Sequence, residues 1–196
     1  VDISNRGEFL NLAGLVEGGT VLAALALAWL ADLSPWEQVH WNLAVVGQAL
    51  LGTVPLFAVY RLARKTRLVA IDLLGQALSL CRLHDLILLA ALAGLGEELL
   101  FRGVLQPWFE RVSPLAGLIL TNVLFGLMHA VTLSYAVIAG LIGLYLSWLA
   151  YGVDPPNLLR PIITHAAYDF VAFLLIVREY RRLKEAAHET TASPPG

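Results

Sequence analysis

The chain has 196 residues, 58% of them hydrophobic and only 14% charged, against roughly 25% charged in ordinary soluble domains. At a mean hydropathy of +0.72 a fold of this size has too few polar side chains to cover itself, so lipid is the solvent for most of the chain. A net charge of −2 excludes the basic field that a nucleic-acid partner needs, and the single cysteine, Cys81, excludes an intrachain disulfide framework and a multi-cysteine zinc site.

The segment Val1–Asn11 carries Asp2, Arg6 and Glu8 and lacks a basic stretch followed by a short apolar core, so no signal peptide is expected. A membrane-spanning helix needs about 20 mostly apolar residues. Successive stretches of that kind run Leu12–Leu33, Asn42–Tyr60, Leu86 to about Trp108, Leu115–Val131, Leu133–Tyr151 and Leu158–Val177. None shows the period-two alternation of a membrane barrel strand. The stretch Arg61–Asp85 differs: Arg61, Arg64, Lys65 and Arg67 precede Leu68, Ile71, Leu74 and Leu78 among polar residues. It reads as an amphipathic helix in the interface with its basic end at the headgroups, or as a cytoplasmic loop with a helical turn or two.

The expected fold is therefore all-α: a polytopic transmembrane helix bundle of about six spans plus one interfacial helix. It forms a single membrane domain over 1–184, with a motif-bearing core over 86–177 and a disordered tail over 185–196. The loop Asp32–Trp41 has no Lys or Arg, whereas the loop after the second span and the tail with Arg178, Arg181, Arg182 and Lys184 are basic. The excess of Lys and Arg on cytoplasmic loops places both termini in the cytoplasm.

Ionisable residues inside apolar helices cost at least ~2.5 kcal/mol each at the bilayer centre and mark sites by default. Three clusters stand out. In Gly96-Glu97-Glu98-Leu99-Leu100-Phe101-Arg102-Gly103, Glu98 and Arg102 are four apart and can pair on one helix face. Glu97 lies about 100° round and is left free for chemistry. Phe125 and His129 share a face, with Asn122 one turn back. His165 and Asp169 are again four apart, with small residues between them that let another helix approach. A buried ion pair, an interfacial histidine and a helix-gluing hydrogen bond would each give one of these spacings without catalysis. Their joint occurrence in one small apolar chain points to a common site.

Glu97-Glu98-x-x-x-Arg102, Phe125-x-x-x-His129 and His165-x-x-x-Asp169, in that order, resemble the motifs of the CAAX-protease and bacteriocin-processing family, also called the Abi family. Phe101-Arg102-Gly103 adds to the likeness. The resemblance covers roughly 86–177 and implies intramembrane endoproteolysis. Glu97 would activate the attacking water with help from His129, Glu98 and Arg102 would form a supporting ion pair, and His165 with position 169 would stabilise the oxyanion. Position 169 is often Asn in the family. Asn donates a hydrogen bond to an oxyanion, and an ionised Asp169 does not, so orienting His165 suits it better.

Glu97, His129 and His165 would supply three ligands to a catalytic zinc, but no His-Glu-x-x-His motif is present, and a cofactor-free site is expected. The implied partners are the bilayer and a membrane-associated peptide or protein substrate. A non-catalytic membrane scaffold or immunity protein, and a proton or ion pathway through the same groups, are the alternative readings. Convergence of the three clusters requires tilted or broken helices, which Gly94, Gly96 and Pro107 permit, and a wet cavity reaching inward.

Overall fold

The computed structural model describes residues 5–192, and among them the chain is helical with no strand. Helix α1 (Arg6–Leu30) begins six residues before the apolar run does. The cause is local: Asn5 caps it, its Oδ1 accepting the Glu8 N–H at 2.9 Å, and Asn-x-x-Glu is a helix-start pattern that a search for apolar spans overlooks. A short 3-10 turn (Pro35–Gln38) leads to α2 (Leu43–Leu62), capped by Asn42. Next come α3 (Arg64–Ser79) and α4 (Leu83–Leu100), the latter continuing through a π-helical turn at Phe101–Leu105 into α5 (Gln106–Glu110). Helices α6 (Pro114–Met128) and α7 (Leu133–Tyr151) are capped by the Ser113 and Thr132 hydroxyls, and α8 spans Leu159–Ala192.

The expectation of six full spans is approximate. Among the described residues, four helices, α1, α2, α7 and α8, are long and apolar enough to cross a bilayer. Helix α4 carries Asp85, Glu97 and Glu98, and the expected third span, Leu86 to Trp108, is interrupted by the π turn. Helix α6 has 15 residues, a rise of about 22 Å, short of a ~30 Å hydrocarbon core. The interfacial stretch is also redrawn. Arg61 belongs to the end of α2 and Asp85 to the start of α4, and α3 between them buries Ala70, Ile71, Gly75, Ala77 and Leu78. Its partner is α8, through the cluster that includes Ile176 and Tyr180. The tail expected to be disordered from Glu185 continues α8 as far as Ala192, as the strong helix formers Lys184-Glu185-Ala186-Ala187 favour. Residues 193–196 lie outside the described part.

Exposure identifies the solvent. Leu15, Leu22 and Trp29 on α1 are 74%, 68% and 81% exposed, an apolar surface that water would not tolerate. The protein is an integral membrane protein. Helix α8 is the hub, packing on α2, α3, α4 and α7, while α1 covers α4 and α6 pairs with α7.

The α4–α8 crossing is close because position 94 is glycine. A Cβ there would stand 2.7 Å from the Ala166 amide nitrogen and 2.9 Å from the Ile162 carbonyl oxygen, backbone atoms that cannot step aside. Gly94→Leu is expected to lower stability by about 1–3 kcal/mol, the usual cost of overpacking, read as a fall in melting temperature in detergent. Gly14→Ala on α1, where an added methyl meets nothing within 4 Å, is the matched control and should leave the melting curve in place.

Candidate active site

The site is built on the last turn of α4. Its anchor is Arg102, carried by the π turn and fully buried. One guanidinium nitrogen donates to Glu98 Oε1 at 3.0 Å; another donates to Asn122 Oδ1 at 3.0 Å and to the Gly143 carbonyl at 2.8 Å. The third faces Ser147 Oγ at 3.5 Å. The guanidinium carbon also lies 4.5 Å from the Phe125 ring centroid, a cation–π contact. Asn122 donates in turn to the Leu118 carbonyl and to Ser147 Oγ. Arg102 thus ties α4, α6 and α7 together.

Position 143 must be glycine for this to work. A Cβ there would lie 2.5 Å from Asn122 Oδ1 and 3.0 Å from Arg102 Nη2, where the hydrogen bonds now run. Helical spacing alone puts Asn122 on the right face but does not reveal Gly143 or Ser147. The one signal for them is a serine within the apolar run Leu144–Ala150.

Glu98 and Glu97 have opposite surroundings. Glu98 is wholly buried, and its Oε1 accepts from Arg102 and from His165 Nδ1, the latter at 2.8 Å. Glu97 Oε2 has no hydrogen-bond partner among the described residues and lies 3.6 Å from His129 Nε2 and 4.0 Å from His165 Nε2. The hundred-degree offset of adjacent helical residues produces this division: one carboxylate meets Arg102 and His165 Nδ1, and the other is turned towards His129 Nε2 and the outer side of His165.

The histidine tautomers follow from their partners. His129 ends α6 as its C-cap. Its Nδ1 lies 2.8 Å from the Phe125 carbonyl oxygen, one of the carbonyls a helix end leaves free. A carbonyl only accepts, so Nδ1 carries the proton and Nε2 is presented to Glu97. The Phe125 ring stacks on the imidazole with centroids 4.6 Å apart and fixes its plane. His165 Nδ1 faces Glu98, which presents Nε2 to Asp169 Oδ2 at 3.4 Å and towards Glu97. A carboxylate behind an imidazole fixes both its tautomer and its orientation.

All six residues singled out in the sequence, Glu97, Glu98, Arg102, His129, His165 and Asp169, therefore come together. The short α6 explains how: its early end delivers His129 to the level of Glu97, fifteen residues into α4. Glu97, His129, His165 and Asp169 share a cavity of roughly 290 Å³ whose far wall reaches Ala63, Thr66 and Arg67 at the α2–α3 junction. One further carboxylate on its wall, Glu17 of α1, belongs to none of the three sequence clusters. Among the described residues, no group of three or more His, Cys, Asp or Glu side chains is arranged to hold a metal ion.

Fold and site together define a membrane-embedded helical bundle that holds one arginine-locked glutamate beside one open glutamate faced by two histidines. Residues 79–171, just under half of the chain, match the family model described as Type II CAAX prenyl endopeptidase Rce1-like, which is consistent with the CAAX-protease and bacteriocin-processing resemblance of the motifs. The match contains all six residues and begins at the end of α3, so α1 and α2 lie outside it. No curated protein and no solved structure matches the chain.

Removing the anchor should be costly. Arg102→Ala strands Glu98 without its cation in a site closed to water, and breaking a buried ion pair from one side costs about 3–5 kcal/mol. Arg102→Lys should rescue little of this, since a single ammonium cannot reproduce the guanidinium fork. Thermal unfolding of both variants in detergent measures the effect.

Proposed function

We propose that the chain is an endopeptidase that hydrolyses a peptide bond of a membrane-associated substrate with water activated by Glu97. The observation that carries this reading is the contrast between the glutamates. Glu98 Oε1 accepts from both Arg102 and His165 deep in the bundle, while Glu97 Oε2 receives no hydrogen bond from the described residues and faces two imidazoles across a cavity. A base needs an oxygen that is free to take a proton and reachable by the nucleophile.

In the proposed reaction a water between Glu97 and His129 attacks the substrate carbonyl carbon. Glu97 Oε2 takes one of its protons, and the remaining O–H becomes bonded to carbon. His129 Nε2, held by the Phe125 carbonyl at the other nitrogen, fixes the water as hydrogen-bond partner. Negative charge develops on the carbonyl oxygen and is met by His165 Nε2–H when that ring carries its second proton, with Glu98 behind it at Nδ1. Donors placed beforehand at developing charge are often the largest catalytic contribution. On collapse the C–N bond breaks, Glu97 returns its proton to the leaving nitrogen, and a carboxylic acid and an amine depart. Asp169 Oδ2 lies against His165 Nε2 and steadies the ring in its charged form, a role open to a carboxylate though not the family's usual asparagine contribution.

The termini are proposed to be cytoplasmic. Arg67 Nε of the basic segment lies 3.3 Å from Glu179 Oε2, and Arg181 donates to the Ser79 carbonyl. These contacts put the basic segment and the basic end of α8 on one side, as charge-directed orientation requires.

The test is cleavage of a tethered peptide library by protein reconstituted in liposomes. Glu97→Gln, which keeps shape and loses the base, should reduce kcat/KM by about 10²–10⁴-fold, the range of general-base contributions, and wild-type activity should survive a chelator. Full activity of Glu97→Gln would sink the reading. Loss in chelator with recovery in zinc would transfer Glu97, His129 and His165 to ligand roles.

A further inference from the structure

The buried and cavity-facing carboxylates differ in how they are balanced. Asp85 is matched by Arg6, whose Nη2 and Nε lie 2.5 and 2.7 Å from its two oxygens. Glu98 is matched by Arg102. Glu17 is different. It sits in the apolar α1, and its Oε2 is buried without a hydrogen-bond partner among the described residues. It lines the same cavity as Glu97, His129, His165 and Asp169, within electrostatic range of Glu97, Asp169 and His165.

The packing fixes where this carboxylate stands. Gly96, the residue before Glu97, lets α1 close on α4: a Cβ at 96 would lie 3.3 Å from the Glu17 carbonyl oxygen and 3.1 Å from Val21 Cγ2. Glu17 is therefore held one helix away from the base, on the helix packed against α4.

The cavity offers it no cation of its own. The arginine on the wall, Arg67, is engaged by Glu179 at 3.3 Å and by the Tyr60 and Arg61 carbonyls at 3.2 and 3.3 Å. His165 is already shared among Glu97, Glu98 and Asp169. Glu17, Glu97 and Asp169 share the cavity wall with one arginine and two histidines that are already engaged, and a partly buried carboxylate without its own donor is costly until a cation or donor arrives.

Resting on the protease reading above, we propose that Glu17 is a specificity-determining residue that selects a substrate with a lysine or arginine side chain close to the scissile bond. Charge complementarity of this kind discriminates among partners more than it raises overall affinity. Glu17 touches the substrate side chain and takes no part in bond breaking.

The experiment compares matched peptides that carry lysine, norleucine or glutamate at each position flanking the cleaved bond, using the full-length protein in liposomes. Wild type is expected to prefer lysine over norleucine at one position by about tenfold or more in kcat/KM, mainly through KM, as a new charge pair would give. Glu17→Gln should bring that ratio close to one. Glu17→Lys should invert the preference towards glutamate at the same position, a gain that misfolding cannot imitate. Cleavage without a basic preference, or a preference that persists in Glu17→Gln, would overturn this inference and leave the protease reading standing. Absence of cleavage by the wild type would overturn both.

Discussion

Arg102 is a permanent cation sealed in a helical bundle, and the arrangement of the site depends on how its charge is met. Its partners come from three directions: Glu98 one turn back on its own helix, Asn122 of α6, and Gly143 with Ser147 of α7. Taking a guanidinium out of water is expensive, and the cost is offset only when its donors are used with good geometry. Those acceptors are what bring α6 and α7 against the end of α4. Glu98, held in this way, orients His165 through Nδ1. The chain of dependence runs from a buried charge to the packing of three helices and then to the direction in which an imidazole points.

The same anchor separates two adjacent carboxylates chemically. Glu97 and Glu98 are neighbours in sequence and share one helix, yet one is held by Arg102 and His165 through a single oxygen and the other faces the cavity. An enzyme that needs a structural acid and a reactive base from the same residue type can obtain both from helical phase alone. The π turn at Phe101–Leu105 belongs to this design. It changes the helical phase just after the glutamates, at the residues that carry the arginine, and π turns recur at functional sites.

Much of this is legible in the amino-acid sequence. The cost of a charge in lipid is enough to single out Glu97, Glu98, Arg102, His129, His165 and Asp169, and the i,i+4 spacings predict the Glu98–Arg102 and His165–Asp169 neighbours. Depth is not legible. Hydropathy predicts spans of equal reach, and it is the shortness of α6, with its end at Met128, that brings His129 to Glu97. Helix starts set by Asn5 and Ser113 caps depend on single side chains rather than on apolar periodicity, so spans read from hydropathy alone are displaced. Gly143 contributes a backbone carbonyl, which no residue-type pattern announces, and Glu17 stands outside the motifs because its relation to them is purely spatial.

The glycine at 143 has a consequence for how this protein can change over time. Its missing side chain is the space through which Arg102 reaches both Asn122 and a backbone oxygen. No single substitution at 143 can be explored while the arginine stays, and no shorter side chain at 102 can be explored while Glu98 stays beside it. Positions 98, 102, 122 and 143 are therefore locked into one unit of inheritance, able to drift only together. The lipid-facing residues of α1, which touch little else, are free to wander one at a time.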